Sequence, residues 1–271
     1  MVRWLVQTLG LFTPLVTIIG ILAGGWWTAS TLILALVVYP VLDFLLGDSS
    51  KTDSLEESRA FDFIVHTHRI LVPVVIATLL YQAYFDYNSF IWLAAVSVGL
   101  SSGASGIITA HELGHRRPRS RSWWLSRLDL MCVLYLHFTV EHNHTHHKHW
   151  AKPRDPTSSP WKRNVYVHFI RTIPLQLMGA YRAKPKDFRY SMLVQLTLLV
   201  TLFIISPVLL GVFLLQAVVA IFLLEFVNYL QHHGLVRGDD ERANAGHAWE
   251  SRNRWSRWTL LELPLHPSHH L

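Results

Sequence analysis

Six long apolar stretches divided by polar tracts organise this chain, at roughly 4–23, 27–46, 70–86, 90–110, 190–206 and 208–228. A helix needs about 20 apolar residues to cross the hydrocarbon core of a bilayer. In lipid every backbone polar group must be satisfied within the segment, so runs of this length predict helices. The expected fold is therefore all-α, a polytopic membrane protein with six transmembrane helices. Pro14 and Pro73 fall inside apolar stretches, where membrane helices tolerate them as kinks. Gly99 and Gly103 set a GxxxG spacing in the fourth stretch, which admits a neighbouring helix at close range. The first stretch is too long, and too weakly flanked by charge, for a cleaved signal peptide. A shorter apolar run at 128–140 fits either an interfacial segment or one that dips into the membrane.

The stretches pair into hairpins whose connections, near 24–26, 87–89 and 207, contain no Lys, Arg or His. All 24 basic residues thus fall in the N-terminus, 47–69, 111–189 or 229–271. An excess of Lys and Arg marks the cytoplasmic side. Both termini and every histidine are expected there, in a bacterial inner membrane. One domain over 1–271 is expected, with 111–189 and 229–271 outside the bilayer.

Composition supports this reading. Charged residues make up 15% of the chain, against about a quarter in soluble proteins. The single cysteine, Cys132, excludes a disulfide framework and a Cys-ligated iron–sulfur cluster, and its apolar surroundings, Leu130 to Leu134, make it a packing residue. No GxGxxG or Walker sequence occurs. The segment 111–189 carries 15 Lys and Arg against five Asp and Glu. Such a face suits anionic lipid or an acidic protein, and no nucleic-acid motif competes.

The outlier is 17 histidines, most of them in four clusters. His111-Glu112-Leu-Gly-His115 continues the fourth apolar stretch, and on a helix its imidazoles lie at i and i+4, on one face. Alone this is also the HExxH of zinc metalloproteases, with Glu112 as base. The second cluster runs from Glu141 to His149, and its HxxxHH pattern places His142, His146 and His147 on one helical face. His144 and His149 lie on other faces and are read as solvated or as outer partners of the ligands. The third, Asn228 to Leu235, ends the last span with His232 and His233. The fourth is His266-Pro-Ser-His269-His270, too interrupted for a purification tag. One catalytic zinc takes three protein ligands and a water. Eight or nine imidazoles suit two metals, and imidazole itself accepts zinc, copper, iron or nickel.

The set HELGH, EHNxxHH, NYxxHxGL and HxxHH resembles the membrane di-iron hydroxylase and desaturase superfamily, and within it the alkane 1-monooxygenase family. Pro153-Arg-Asp155-Pro156, Pro40-Val-Leu-Asp43 and His247-Ala-Trp249-Glu-Ser251 add to the likeness, which covers essentially the whole chain. The chain departs from the family pattern at Thr145, Gln231, His233, Leu265, Pro267 and Ser268. Members continue beyond the fourth cluster with a C-terminal portion, so the resemblance implies either a fragment or a site lacking its lower wall.

By resemblance the ligands are His111, His115, His142, His146, His147, His232, His266, His269 and His270, holding two non-haem iron ions. Carboxylates that orient ligands and balance charge are sought among Glu112, Asp129, Glu141, Asp155, Asp187 and Glu225. Glu225 stands out because an ionisable group in an apolar span is costly. Asp43, Glu250 and Glu262 are read as interface charges, and His66, His68, His137 and His168 as structural. The implied activity is hydroxylation of terminal C–H bonds of medium-chain alkanes. It would use O2 and electrons from a rubredoxin-like or ferredoxin-type donor with its NAD(P)H-dependent reductase. Alternatives are a fatty-acid desaturase or hydroxylase, a xylene-type methyl hydroxylase and, remotely, an intramembrane HExxH metalloprotease.

Overall fold

The computed structural model describes residues 3–49 and 59–270, and these are all-helical apart from two isolated β-bridges. Lys51, one of the basic residues of the 47–69 connection, lies outside the described residues. Six helices are long and apolar enough to cross a membrane: α1 (Leu5–Ala23), α2 (Gly25–Leu46), α3 (Ala60–Phe85), α4 (Ile91–Gly114), α8 (Pro185–Ile205) and α9 (Pro207–His232). Three of them outrun the apolar stretches. α3 begins ten residues earlier, at Ala60 rather than 70, while α4 and α9 run on to Gly114 and His232. Helical hydrogen bonding does not stop where hydrophobicity does, so the ends of α4 and α9 carry histidines out of the apolar layer.

Between the spans lie α5 (Arg121–Cys132), α6, and α7 (Val165–Ala183). α6 starts as Phe138–Glu141, passes through a π-turn at His142–His146 and ends as His147–His149. After α9 come two short helices, α10 (Arg254–Thr259) and α11 (His266–His270).

The membrane core is built from Val72, Val75, Ile76 and Leu79 of α3, Ala94, Ala95 and Val98 of α4, and Val212 and Phe213 of α9. α4 and α9 pack along each other. A Cβ on Gly99 would stand 2.5 Å from Cβ of Val219 and 2.7 Å from the Gln216 carbonyl, so only glycine allows this approach. α1 and α2 are tied by hydroxyls, with Thr13 to the Tyr39 hydroxyl at 2.6 Å and Thr17 to Thr31 at 2.8 Å.

The apolar run 128–140 forms a buried turn packed against the middle of α9, where the Gln216 amide donates to the Cys132 carbonyl at 2.7 Å. It ends α5, turns through Leu134 at φ +56°, and starts α6. Leu130, Val133, Tyr135, Leu136 and Phe138 are buried together with Ala220 of α9. A short hydrophobic run serves a buried turn as well as it serves lipid, which is why its pattern was ambiguous. Cys132 is buried there, its thiol pushed up to about 12 by burial and the nearby Asp129 carboxyl, as befits a packing residue.

Asp43 is hydrogen-bonded. Its carboxylate, at the end of α2, accepts from the backbone N–H of Ser256 at 2.9 Å and from the Ser256 hydroxyl. Glu262 is buried, in an ion pair with Arg257 at 2.7 Å. Gly10 of α1 admits the Thr259 carbonyl, which would lie 2.6 Å from any Cβ there. These contacts lash α10 to the N-terminal hairpin and so fix the segment that delivers α11.

Candidate metal centre

Histidines from four elements converge at the ends of α4 and α9. The nine that the family resemblance implies as ligands form two groups, in each of which the ligand atoms lie within 4.8 Å of one another. The first holds His111, His115, His142, His147 and His269; the second holds His146, His232, His266 and His270. α4 gives an i, i+4 pair to the first group, and α11 gives its i, i+4 pair, His266 and His270, to the second, as helical geometry dictates.

α6 does something the sequence did not suggest. The expectation that His142, His146 and His147 share one face does not hold: on a regular α-helix His142 and His146 would share it and His147 would turn away. In the structure His142 and His147 face each other, their Nε2 atoms 3.0 Å apart, and His146 belongs to the other group. The cause is the π-turn over His142–His146, whose wider loop shifts the register by one residue. α6 thereby serves both groups.

The nitrogens are arranged for a cation rather than for each other. Nε2 of His147 also lies 3.2 Å from Nε2 of His269. In the second group the Nε2 contacts run His232 to His266 at 2.9 Å, His266 to His270 at 2.8 Å and His270 to His146 at 3.2 Å. Each such contact needs one N–H and one lone pair, whereas a metal accepts a lone pair from every ring at once. Metal ligation requires neutral imidazoles. Burial first, and neighbouring imidazoles second, lower His115 to about 4, His147 to about 3 and His269 to about 2. The same causes hold His142, His266 and His270 lower than an ordinary histidine. His115 is exposed, so the first group opens to the surface, while His146, His232 and His266 are buried.

The candidate carboxylates separate clearly. Asp155 accepts from Nδ1 of His146 at 3.1 Å and from the hydroxyls of Thr157, at 2.9 Å, and Ser158, at 2.7 Å. Burial works to raise this carboxyl, but the His146 ring outweighs it, with His232 and Ser158 adding, and holds it at about 2. Glu225 accepts from the Tyr135 hydroxyl at 2.8 Å, Gln176 at 2.9 Å and Asn228 at 3.3 Å. Glu141 is fully buried and neither of its oxygens has a hydrogen-bond partner. Burial, then Asp155 and Glu225, push it well above the carboxylate range. Glu112 is half-exposed and pairs with Arg116 at 3.3 Å. Asp129 is buried on α5, where burial pushes its carboxyl well up against the opposing pull of Arg69, and Asp187 is exposed at the start of α8.

The other histidines stay outside both groups. His68 meets the Ser105 hydroxyl at 3.0 Å. His233 packs on Tyr229 and Trp161, and His144 is exposed. His137 and His168 are buried with both ring nitrogens unpartnered.

Several residues at the centre carried no motif. Tyr135 and Gln176 hold Glu225, and Thr157 and Ser158 hold Asp155. Trp150 is buried and stacks on His270 at 4.6 Å and 18°, with the Arg237 guanidinium 5.4 Å from the indole. The one available signal was the polar spacing His168, Thr172, Gln176 along α7.

The chain's similarities agree with this geometry. A family model described as fatty acid desaturase matches residues 88–271. Alkane 1-monooxygenase 1 of Pseudomonas aeruginosa is 31% identical over 278 residues, 91% of this chain and 72% of that protein. Alkane 1-monooxygenase 1 of Alcanivorax borkumensis is 28% identical, over 98% of this chain and 73% of its own length. The xylene/toluene monooxygenase hydroxylase component of Pseudomonas putida is 25% identical, over 95% and 75%.

Proposed function

This chain belongs to the fatty acid desaturase family and, within it, to the alkane 1-monooxygenases, and on that premise we propose that it hydroxylates the terminal carbon of medium-chain alkanes. The observation that carries the proposal is the pair of convergent histidine groups at the ends of apolar helices. The first five histidines would hold one iron and the other four a second. Bound there, two iron ions would supply the O2 chemistry that removes hydrogen from an unactivated C–H bond and returns oxygen to it.

The chain's own residues prepare that chemistry. Neutral imidazoles leave the metal charge uncompensated, and Asp155 and Glu225 are the anions placed to balance it. Asp155 also fixes the ring of His146 through Nδ1, the usual way an outer carboxylate orients a ligand. Hydroxylation consumes two electrons and two protons for each O2. Glu141 is the buried group beside the site whose oxygens are free to give or take a proton. Phe138 stacks on His142 at 4.8 Å and, with Tyr135 and Leu136, keeps water from that wall. Glu225 is the only charged residue in α9, so the span offers a hydrocarbon no competing anchor.

Electrons must come from outside, since the chain has no flavin motif and one cysteine. A rubredoxin-like donor with its NAD(P)H-dependent reductase fits the basic residues beside exposed His115, which include Arg117 and Arg119. The cytoplasm, where such a donor resides, is then the side that the metal centre faces.

The test supplies octane, O2, a rubredoxin, its reductase and NADH. 1-Octanol carrying label from 18O2, and lost on His142→Ala, is the expected result. The desaturase description of the matching family model favours one second reading, desaturation of an acyl chain. An alkene without incorporated oxygen, or activity confined to acyl thioesters, would establish that reading instead. The HExxH protease reading leaves the second histidine group without a purpose.

A further inference from the structure

α7 is built inside out. Its buried stripe is His168, Thr172, Gln176 and Ala180, spaced at i+4 and turned toward α6 and α9. Its outer face is apolar. Ile170 is 71% exposed and Tyr166 70%, with Val167, Met178 and Tyr181 also exposed. A helix facing water shows the reverse pattern, apolar inward and polar outward. Two exposed arginines, Arg171 and Arg182, interrupt this face. They stand eleven residues apart, about three turns, and so share one flank rather than scatter around the helix.

We propose that α7 lies in the plane of the membrane on the metal-centre side, its Tyr166–Ile170–Met178 face among acyl chains and Arg171 and Arg182 against headgroup phosphates. Amphipathic helices with a basic flank bind anionic lipid surfaces in this way. The neighbouring elements continue the same surface. α7 packs on α8 and α9, both spans, and Leu193, Leu196, Val200 and Phe203 of α8 are likewise exposed. Phe222 of α9 packs on Tyr166 at 6.4 Å and on Phe169 at 5.3 Å, so aromatic contacts bridge α7 to a span. α7 itself is 19 residues with Arg171 and Pro174 near its middle, and it is absent from the six helices apolar enough to cross. Lying flat lets Arg171 reach phosphate while its neighbours stay in hydrocarbon. α7 is thus the partition between acyl chains and the Glu225 wall, which Gln176 touches from its inner face.

The experiment places a nitroxide at single cysteines in the metal-loaded protein, in nanodiscs of phosphatidylcholine and phosphatidylglycerol. Cys132 is the only native cysteine and is buried, so a Cys132→Ala background gives clean labelling. Labels on Ile170→Cys and Met178→Cys should collide severalfold more with O2, and severalfold less with a water-soluble nickel chelate, than a label on Asp239→Cys, a fully hydrated control. Nickel accessibility equal to the control's would overturn the proposal. So would protection from both reagents, the signature of a protein partner or a second copy covering the face. On the unaltered chain, a phosphatidylglycerol with a diazirine in its acyl tail should tag the 166–181 peptide, and absence of that tag would also overturn it.

Discussion

The Nε2 atoms of His142 and His147 lie 3.0 Å apart although five residues separate them. The π-turn between them allots His146 to a different metal position from its immediate neighbours. His142→Ala and His147→Ala should therefore deplete the same metal, whereas His146→Ala should behave like His266→Ala. Metal analysis of each variant, with the remaining ion identified by its Mössbauer signature, reads this directly. If His142→Ala and His146→Ala lose the same ion, the α-helical register is the correct one.

Asp155 is the one carboxylate hydrogen-bonded to a ring of either histidine group among the described residues. Asp155→Asn keeps the shape but removes the charge that orients His146. Outer-shell losses of this kind typically cost about 10–100-fold in metal affinity or activity. The expected result is a weaker second metal with the first retained, measured by competition with a chelator. Unchanged affinity for both ions would show that Asp155 serves the fold alone.

Gly99 sets the distance between α4 and α9. Gly99→Ala puts a methyl group 2.5 Å from Cβ of Val219 and 2.7 Å from a carbonyl, neither of which can rotate away. Overpacking of this kind costs about 1–3 kcal/mol. The melting temperature in detergent should fall, with His111 and His232 displaced because those two helices carry them. A melting curve identical to that of the parent would mean that the spans separate more easily than this packing implies.

His137 and His168 link stability to pH. Burial lowers His137 to about 3 and, with Arg163 adding to it, His168 to about 4, and neither ring nitrogen in either residue has a partner. Groups with depressed folded values contribute stability that is whole above the unfolded value of about 6.5. That stability is lost as pH falls through 4 toward 3. The metal-free protein should melt at progressively lower temperature from pH 6.5 to pH 4. The His137→Phe, His168→Phe double variant should show a shallower slope over the same window, and a slope left unchanged would place the acid sensitivity elsewhere.

The sequence by itself determined whatever local spacing controls. Apolar length fixed six spans, because lipid demands helices of a set length, and i, i+4 spacing put His111 with His115 and His266 with His270 on single faces. Four ordered motifs were enough to indicate the family and to single out the nine histidines that the structure gathers. Tertiary structure decided which histidine joins which group. That depends on a π-turn no spacing rule announces, and on α11, held in place through Asp43 and Ser256, 213 residues apart. It also sorted the carboxylates. Asp155, Glu225 and Glu141 sit at the centre, while Asp129 and Glu112 do not, and of the five only Glu225 stood apart in sequence, by its place in an apolar span. The partners of Glu225 come from α7 and from the turn before α6, elements brought together only when the spans pack. Polarity along the chain predicts which way a helix faces only when its outer solvent is known, and for α7 the fold alone shows that its polar stripe points inward.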